Sequence, residues 1–176
     1  HIDWKLYGRS DKLFVKRYEE ETNLRCQLVL DCSGSMWYPS EVLPDGPELN
    51  KLKFAIHSCA ALIELFRRQR DAVGFSVFAD ELESHIPAKS SGAHMRMIYH
   101  ELEQLLDEVG EQRKGTSTVE ALHQIAEASP RRSLVVVFSD LLDRGGDIDE
   151  LMAALQHLRH NKHEVVLFHV LEDATE

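Results

Sequence analysis

Cysteine is scarce in this chain and is not arranged to cross-link it. The three thiols, Cys26, Cys32 and Cys59, include no C-x-x-C pair. Cys26 and Cys32 lie in a stretch that reads as extended, which separates them by about 20 Å, whereas a bridge needs Cα atoms within about 7 Å. An odd count of thiols with no bridging pattern fits a reducing compartment, and a cytoplasmic setting is the expectation. Long apolar runs are missing too. The longest, Leu134–Phe138 and Val165–Phe168, have strand length, well short of the roughly 20 residues that span a bilayer. The first residues are polar and aromatic and do not read as a signal peptide. Positive charge is also short: 20 Lys and Arg stand against 30 Asp and Glu, a net −10. That balance argues against general affinity for nucleic acid or an anionic membrane surface. No G-x-x-x-x-G-K-[ST] phosphate loop and no G-x-S-x-G nucleophile elbow occurs, so neither a nucleotide-binding loop of that kind nor a serine hydrolase is indicated.

What is present suits one domain with a sizeable core: 176 residues, 43% hydrophobic and 28% charged. The organising stretch is RCQLVLDCSGSM, from Arg25 to Met36. Gln27–Leu30 reads as a strand buried on both faces, the kind found inside a parallel sheet. It ends on Asp31, and Ser33, Gly34 and Ser35 come close behind. The carboxyl end of a strand in a doubly wound sheet is where ligands bind. Asp31, Ser33 and Ser35 offer only hard oxygen donors, which suit Mg²⁺ or Mn²⁺ and not zinc. Positions i, i+2 and i+4 can turn toward one point, and Gly34 lets the chain curl around it. An ordinary polar turn is the competing reading of this motif taken alone.

Residues 1–23 read as an extension that belongs to a longer chain, in which Lys12–Tyr18 alternates like an edge strand; 24–176 reads as the domain proper. Tyr38–Asn50, with Pro39, Pro44, Gly46 and Pro47, is a long loop beside the candidate site. Lys51–Arg70 places Leu52, Ile56, Cys59, Leu62, Ile63 and Phe66 on one helical stripe. Arg67, Arg68 and Arg70 fall at its C-terminal end, where cations complement the helix dipole. Val73–Phe78 and Leu82–Ile86 are strands joined so tightly that only an antiparallel pair is possible. Met95–Val109 is a second helix with Ile98, Leu102, Leu105, Leu106 and Val109 inward. Ser117 with Glu120 reads as a capping box opening a third helix over Thr118–Ala128, which Ser129-Pro130 stops. Ser133–Asp140 is another buried strand ending on a carboxylate. Asp147 with Glu150 opens a fourth helix carrying Ile148, Leu151, Leu155 and Leu158, and Asn161 is its expected left-handed cap. Glu164–Val170 closes the sheet. Neither an internal repeat nor a low-complexity tract is evident. The alternation predicts an α/β fold: a Rossmann-like, doubly wound, mostly parallel sheet with one antiparallel edge strand and helices on both faces.

Three segments then end at one edge of that sheet: Asp31-x-Ser33-x-Ser35, Thr116 after Gly115, and Asp140. Two carboxylates and three hydroxyls make five oxygen donors, which leaves a six-coordinate divalent ion with an open position for an external carboxylate. On these residues the chain resembles the von Willebrand factor A domain and its metal-ion-dependent adhesion site. The likeness runs over about residues 24–171. It implies that Ser33, Ser35 and Thr116 touch Mg²⁺ or Mn²⁺, while Asp31 and Asp140 reach it mostly through water. IDWKLYGRSDKLFVKRYEEETNL, GTST and SDLLD resemble more narrowly a bacterial branch of uncharacterised function, typically encoded beside MoxR-type AAA+ ATPases. The resemblance further implies a non-catalytic protein-binding module whose partner presents an Asp or Glu. That partner is expected to be such an ATPase or its client, with no nucleic acid and no membrane span. The Pro-rich, acidic loop Tyr38–Asn50 departs from the family pattern.

Two competitors draw on other residue combinations. A haloacid-dehalogenase-type phosphatase would use Asp31 as nucleophile with the pair Asp140 and Asp143, again with Mg²⁺. It needs a second acid two positions after the nucleophile for proton transfer, and that position is Ser33. His157, His160 and His163 have a spacing that invites zinc, but polar residues in a last helical turn are the commoner explanation. His57, His123 and His169 read as packed or surface residues.

Overall fold

The computed structural model describes residues 24–38, 50–79, 81–107, 118–141 and 148–172. Five strands form one sheet in the order β3-β2-β1-β4-β5. They are β1 (Arg25–Asp31), β2 (Ala72–Phe78), β3 (Leu82–Lys89), β4 (Leu134–Ser139) and β5 (Glu164–His169). β1 runs parallel to β2 on one side and to β4 on the other, and β5 is parallel to β4. β3 alone is antiparallel, at one edge, as the tight link from β2 requires.

Four helices cover the sheet: α1 (Lys51–Gln69), α2 (Gly92–Asp107), α3 (Thr118–Ala128) and α4 (Ile148–His160). The alternation of side chains along each strand sorts the core into two layers. On one face Cys26, Leu28 and Leu30 of β1, with Val73, Phe75 and Val77 of β2, meet α1 and α2 through Ile56, Cys59, Ile63 and Ile98. On the other face Val29, Val135 and Val137 meet α3 and α4 through Leu122, Ile125, Ala154 and Leu158. The expected α/β doubly wound fold is the observed one.

α1 begins at the expected residue behind an Asn50 N-cap, whose side chain accepts from Lys53 N at 2.8 Å. Its stripe is the expected one, with Leu62 only half-buried. It ends where Arg70 takes φ 61°. Arg67 and Arg68 both bond the carboxylate of Glu64. α2 begins three residues earlier than the sequence pattern placed it, and Val109, Ser117 and Asp147 lie outside the described residues.

One expectation needs correction. The left-handed residue after α4 is Lys162, at φ 63°, and not Asn161. Asn161 instead donates from Nδ2 to the carbonyl of Ala126 at 2.9 Å, tying α4 back to α3. β5 closes the sheet as expected, and it has the apolar composition of an interior strand while standing at the sheet edge. Val166, Leu167 and Phe168 are 41%, 37% and 43% exposed. Composition reports what a strand could bury, whereas strand order decides what it does bury.

Candidate functional site

The helix that follows β1 in sequence, α1, packs on one face of the sheet, and the helix that follows β4, α4, packs on the other. Adjacent strands whose chains depart in opposite directions leave a crevice at their carboxyl ends, the switch point of a doubly wound sheet. Asp31 is the last residue of β1, and Asp140 follows β4 directly. They are 2% and 1% exposed.

Each carboxylate is held by short-range chemistry that the strand ends provide. Asp31 Oδ1 accepts from the backbone N–H of Ser33 at 2.8 Å, and Oδ2 accepts from Ser139 Oγ at 2.5 Å. A 3-10 turn over Gly34–Trp37 starts at once, closed by Met36 N donating to Ser33 O at 3.0 Å. That turn lifts Ser35 over Ser33, with their hydroxyls 3.1 Å apart. Ser35 Oγ donates to Asp140 Oδ1 at 3.0 Å. Since a hydroxyl has one proton to give, Ser33 is the donor to Ser35. A continuous polar chain thus runs from Ser33 through Ser35 to Asp140, with Asp31 fixed beneath it.

Burial pushes the Asp31 carboxyl above the usual carboxylate range. The bonds from Ser139 and Ser33 oppose that rise, and the neighbouring Asp140 charge adds to it. The turn after β4 holds a non-glycine residue in the left-handed region. Leu141 sits at φ 53°, and its N–H donates to Ser139 Oγ at 2.9 Å. His169 Nε2 donates to the carbonyl oxygen of Asp140 at 3.0 Å, so β5 steadies the same turn.

Of the five candidate ligands, Asp31, Ser33, Ser35 and Asp140 come together in this crevice; Thr116 lies outside the described residues, as does Asp143. Two members were not foreseen. Ser139 precedes Asp140, and its only signal was a hydroxyl at a strand end. Lys51, the first residue of α1, donates from Nζ to Asp140 Oδ2 at 2.7 Å. Nothing in its local sequence marks it, because its partner is 89 positions away. Lys51 also borders a cleft of about 400 Å³ lined by Asn50, Phe54, His169, Val170, Leu171 and Glu172.

The histidines do not converge. His157 Nδ1 lies 2.9 Å from His123 Nδ1, and the buried His163 accepts from Ser133 N at 3.2 Å. Among the described residues no group of three or more His, Cys, Asp and Glu is arranged around a common point. Cys26, Cys32 and Cys59 are buried and form no disulfide, and burial raises the Cys26 thiol to about 12.

Fold and crevice define a doubly wound α/β protein with a carboxylate–hydroxyl site at its switch point. The chain belongs to the family described as protein of unknown function DUF58, whose model matches residues 1–176. No curated protein matches it. Among solved structures it is similar to an aerotolerance-related membrane protein from Bacteroides fragilis, at 22% identity and TM-score 0.62, over 82% of this chain and 66% of that one. The conserved hypothetical protein BatB from Bacteroides thetaiotaomicron is similar at 21% identity and TM-score 0.50, over 82% and 65%. A variant of the PilB minor pilin from Streptococcus sanguinis shares 12% identity at TM-score 0.52, over 65% of this chain and 29% of the pilin. At these identities the likeness is one of fold. The chain spans just under two thirds of the two Bacteroides proteins. Among the described residues no helix is long and apolar enough to cross a membrane.

Proposed function

We propose that this chain is a non-catalytic, divalent-cation-dependent protein-binding module of the von Willebrand factor A kind. The observation that carries this reading is the run of oxygens Ser33 Oγ, Ser35 Oγ and Asp140 Oδ1, spaced 3.1 and 3.0 Å apart at the switch point. Neighbouring oxygens around an octahedral Mg²⁺, at 2.0–2.1 Å from the ion, stand about 3 Å apart. The donor set is hard oxygen throughout, which suits Mg²⁺ or Mn²⁺. Ser33 and Ser35 would hold the ion through their hydroxyls, and Thr116 would add a third. Asp31 and Asp140 would balance its charge from the sheet side. A bound ion supplies an open, positively charged coordination position, and a partner's Asp or Glu would complete it.

Several features of the residues support binding over turnover. Asp31 is 2% exposed, and both its oxygens already accept hydrogen bonds, a poor presentation for an attacking nucleophile. The position where a phosphatase would place its acid is Ser33, whose hydroxyl is committed to Ser35. The buried thiols, none of them in a disulfide, agree with a cytoplasmic setting for this domain. A MoxR-type AAA+ ATPase, or a client passed to it, is the partner that the sequence resemblance favours.

Calorimetry with Mg²⁺ and Mn²⁺ on the whole chain tests the site. Binding to the wild type should be lost in Asp31→Ala and strongly weakened in Thr116→Ala, with the circular dichroism spectrum retained. Unchanged affinity in both variants would remove these residues from any ion site. Partner capture from a lysate of the native source should be lost in EDTA. Metal-dependent hydrolysis of a generic phosphate ester that disappears in Asp31→Asn would instead promote the phosphatase.

A further inference from the structure

The crevice already contains a cation, and it is the chain's own. Lys51 is 6% exposed, a rare place for an ammonium unless it is paired. Its pairing is with Asp140, 1% exposed, at 2.7 Å. The other oxygen of the same carboxylate accepts from Ser35, so Lys51 sits at one end of the polar chain proposed to receive the ion.

The location runs against local preference. Lys51 is the first residue of α1, at the positive end of the helix dipole, and the first turn contains no acidic residue to offset it. A cation placed there against its helix is explained by the tertiary site, and local rules are broken most often where function demands it. The lysine is also well anchored. Its backbone N–H donates to Tyr38 O at 3.3 Å, and Nζ lies 6.0 Å from the Tyr38 ring centre. Tyr38 is thereby held against Lys51.

We propose that Lys51 is a tethered monovalent cation that shares Asp140 with the divalent ion, so that the ion enters as the ammonium leaves. The inference rests on the reading of the crevice as a divalent-ion site. Charge decides the exclusivity. Asp31 and Asp140 together provide two negative charges in a buried place, which one divalent ion neutralises and an added ammonium overshoots. Space is available for the exchange. The cleft of about 400 Å³ is lined by Lys51 itself and gives the displaced ammonium room to move. Lys51 therefore lowers the affinity for the ion and stabilises the crevice without it.

Mn²⁺ binding to the whole chain, read by electron paramagnetic resonance, tests this in wild type, Lys51→Gln and Lys51→Arg. Removing the tethered charge in Lys51→Gln should tighten binding by about 5- to 150-fold, the usual range for two ligands coupled on one protein. Lys51→Arg, which keeps the charge, should stay near the wild type. Equal affinity in wild type and Lys51→Gln would overturn the competition while leaving the ion site standing. Weaker binding in Lys51→Gln would overturn it too, by making Lys51 a support of the site. No binding in any form would overturn the ion site and this inference together. A measurement on the wild type stands if Lys51→Gln does not fold. The Lys51 ammonium should give a solvent-protected signal by ¹⁵N nuclear magnetic resonance, lost on saturation with Mg²⁺. A signal that persists at saturation would overturn the proposal.

Discussion

Ser139 shows how much one hydroxyl can hold in place. It donates to Asp31 Oδ2 and accepts from Leu141 N, joining the ends of β1 and β4 through a single atom. Ser139→Ala leaves a buried carboxylate with one fewer donor, and an unsatisfied buried acceptor costs about 1–3 kcal/mol. Urea unfolding should show a loss of that size; a change under about 0.5 kcal/mol would mean that water replaces the hydroxyl. Gly74 is a second residue with no freedom, for reasons of space. A Cβ there would stand 2.1 Å from Gln27 Oε1, 2.7 Å from Ile86 O and 2.8 Å from Ala88 N. Two of those atoms are backbone of the neighbouring β3 and cannot step aside. Gly74→Ala should therefore cost at least the roughly 1–3 kcal/mol typical of overpacking. A neutral result in the same assay would show that β3 shifts freely.

Helix ends provide the element-scale tests. Near the end of α1, Glu64 accepts from Arg67 and Arg68, and those hydrogen bonds pull its carboxyl down to about 2 from an ordinary 4.5. The folded value lies below the unfolded one, so the stabilising contribution is fully present above about 4.5 and disappears as pH falls through about 2. The melting temperatures of wild type and Glu64→Gln should differ slightly near neutrality and converge toward pH 2. The gap is small because water screens this surface cluster. At the end of α4, Lys162 is exposed and held at φ 63°. Glycine adopts that backbone without steric cost, so Lys162→Gly should stabilise by about 0.5–1 kcal/mol, read from denaturant midpoints. A destabilised Lys162→Gly would mean that the lysine side chain contributes more than its backbone costs. Asn161 was the expected left-handed residue because asparagine tolerates that conformation best among residues with a side chain. It serves instead to bond Ala126 across to α3, a demand that only the packing of two helices creates.

For the whole molecule, strand order brings the chemistry together. Placing β1 between β2 and β4 sets Asp31 beside Asp140, 109 residues on, with the helices that follow them in sequence, α1 and α4, on opposite faces. An ion bound at that junction would tie both halves of the sheet, and a ligand at 100 times its Kd stabilises by about 2.7 kcal/mol. Saturating Mg²⁺ should raise the melting temperature of the wild type, EDTA should reverse the rise, and Asp31→Ala should not respond to either. Equal melting temperatures with and without Mg²⁺ would argue against an ion that bridges the two strands.

Local pattern was enough to place every strand and α-helix of the described residues within a few positions. The period of apolar residues and the turn signals both act over fewer than about ten residues. The same information placed Asp31 and Asp140 at strand ends, because a buried strand stops where charge begins. What tertiary structure alone decided is whatever depends on which element lies beside which. Lys51 reads as one more polar residue opening a helix until β4 delivers Asp140 to it across 89 positions. Ser139 is an ordinary strand residue until β1 ends next to it. β5 has the composition of an interior strand and stands exposed, since burial belongs to the arrangement and not to the segment. The oxygen donors are written in the sequence, and the cation that meets them first is a consequence of the fold.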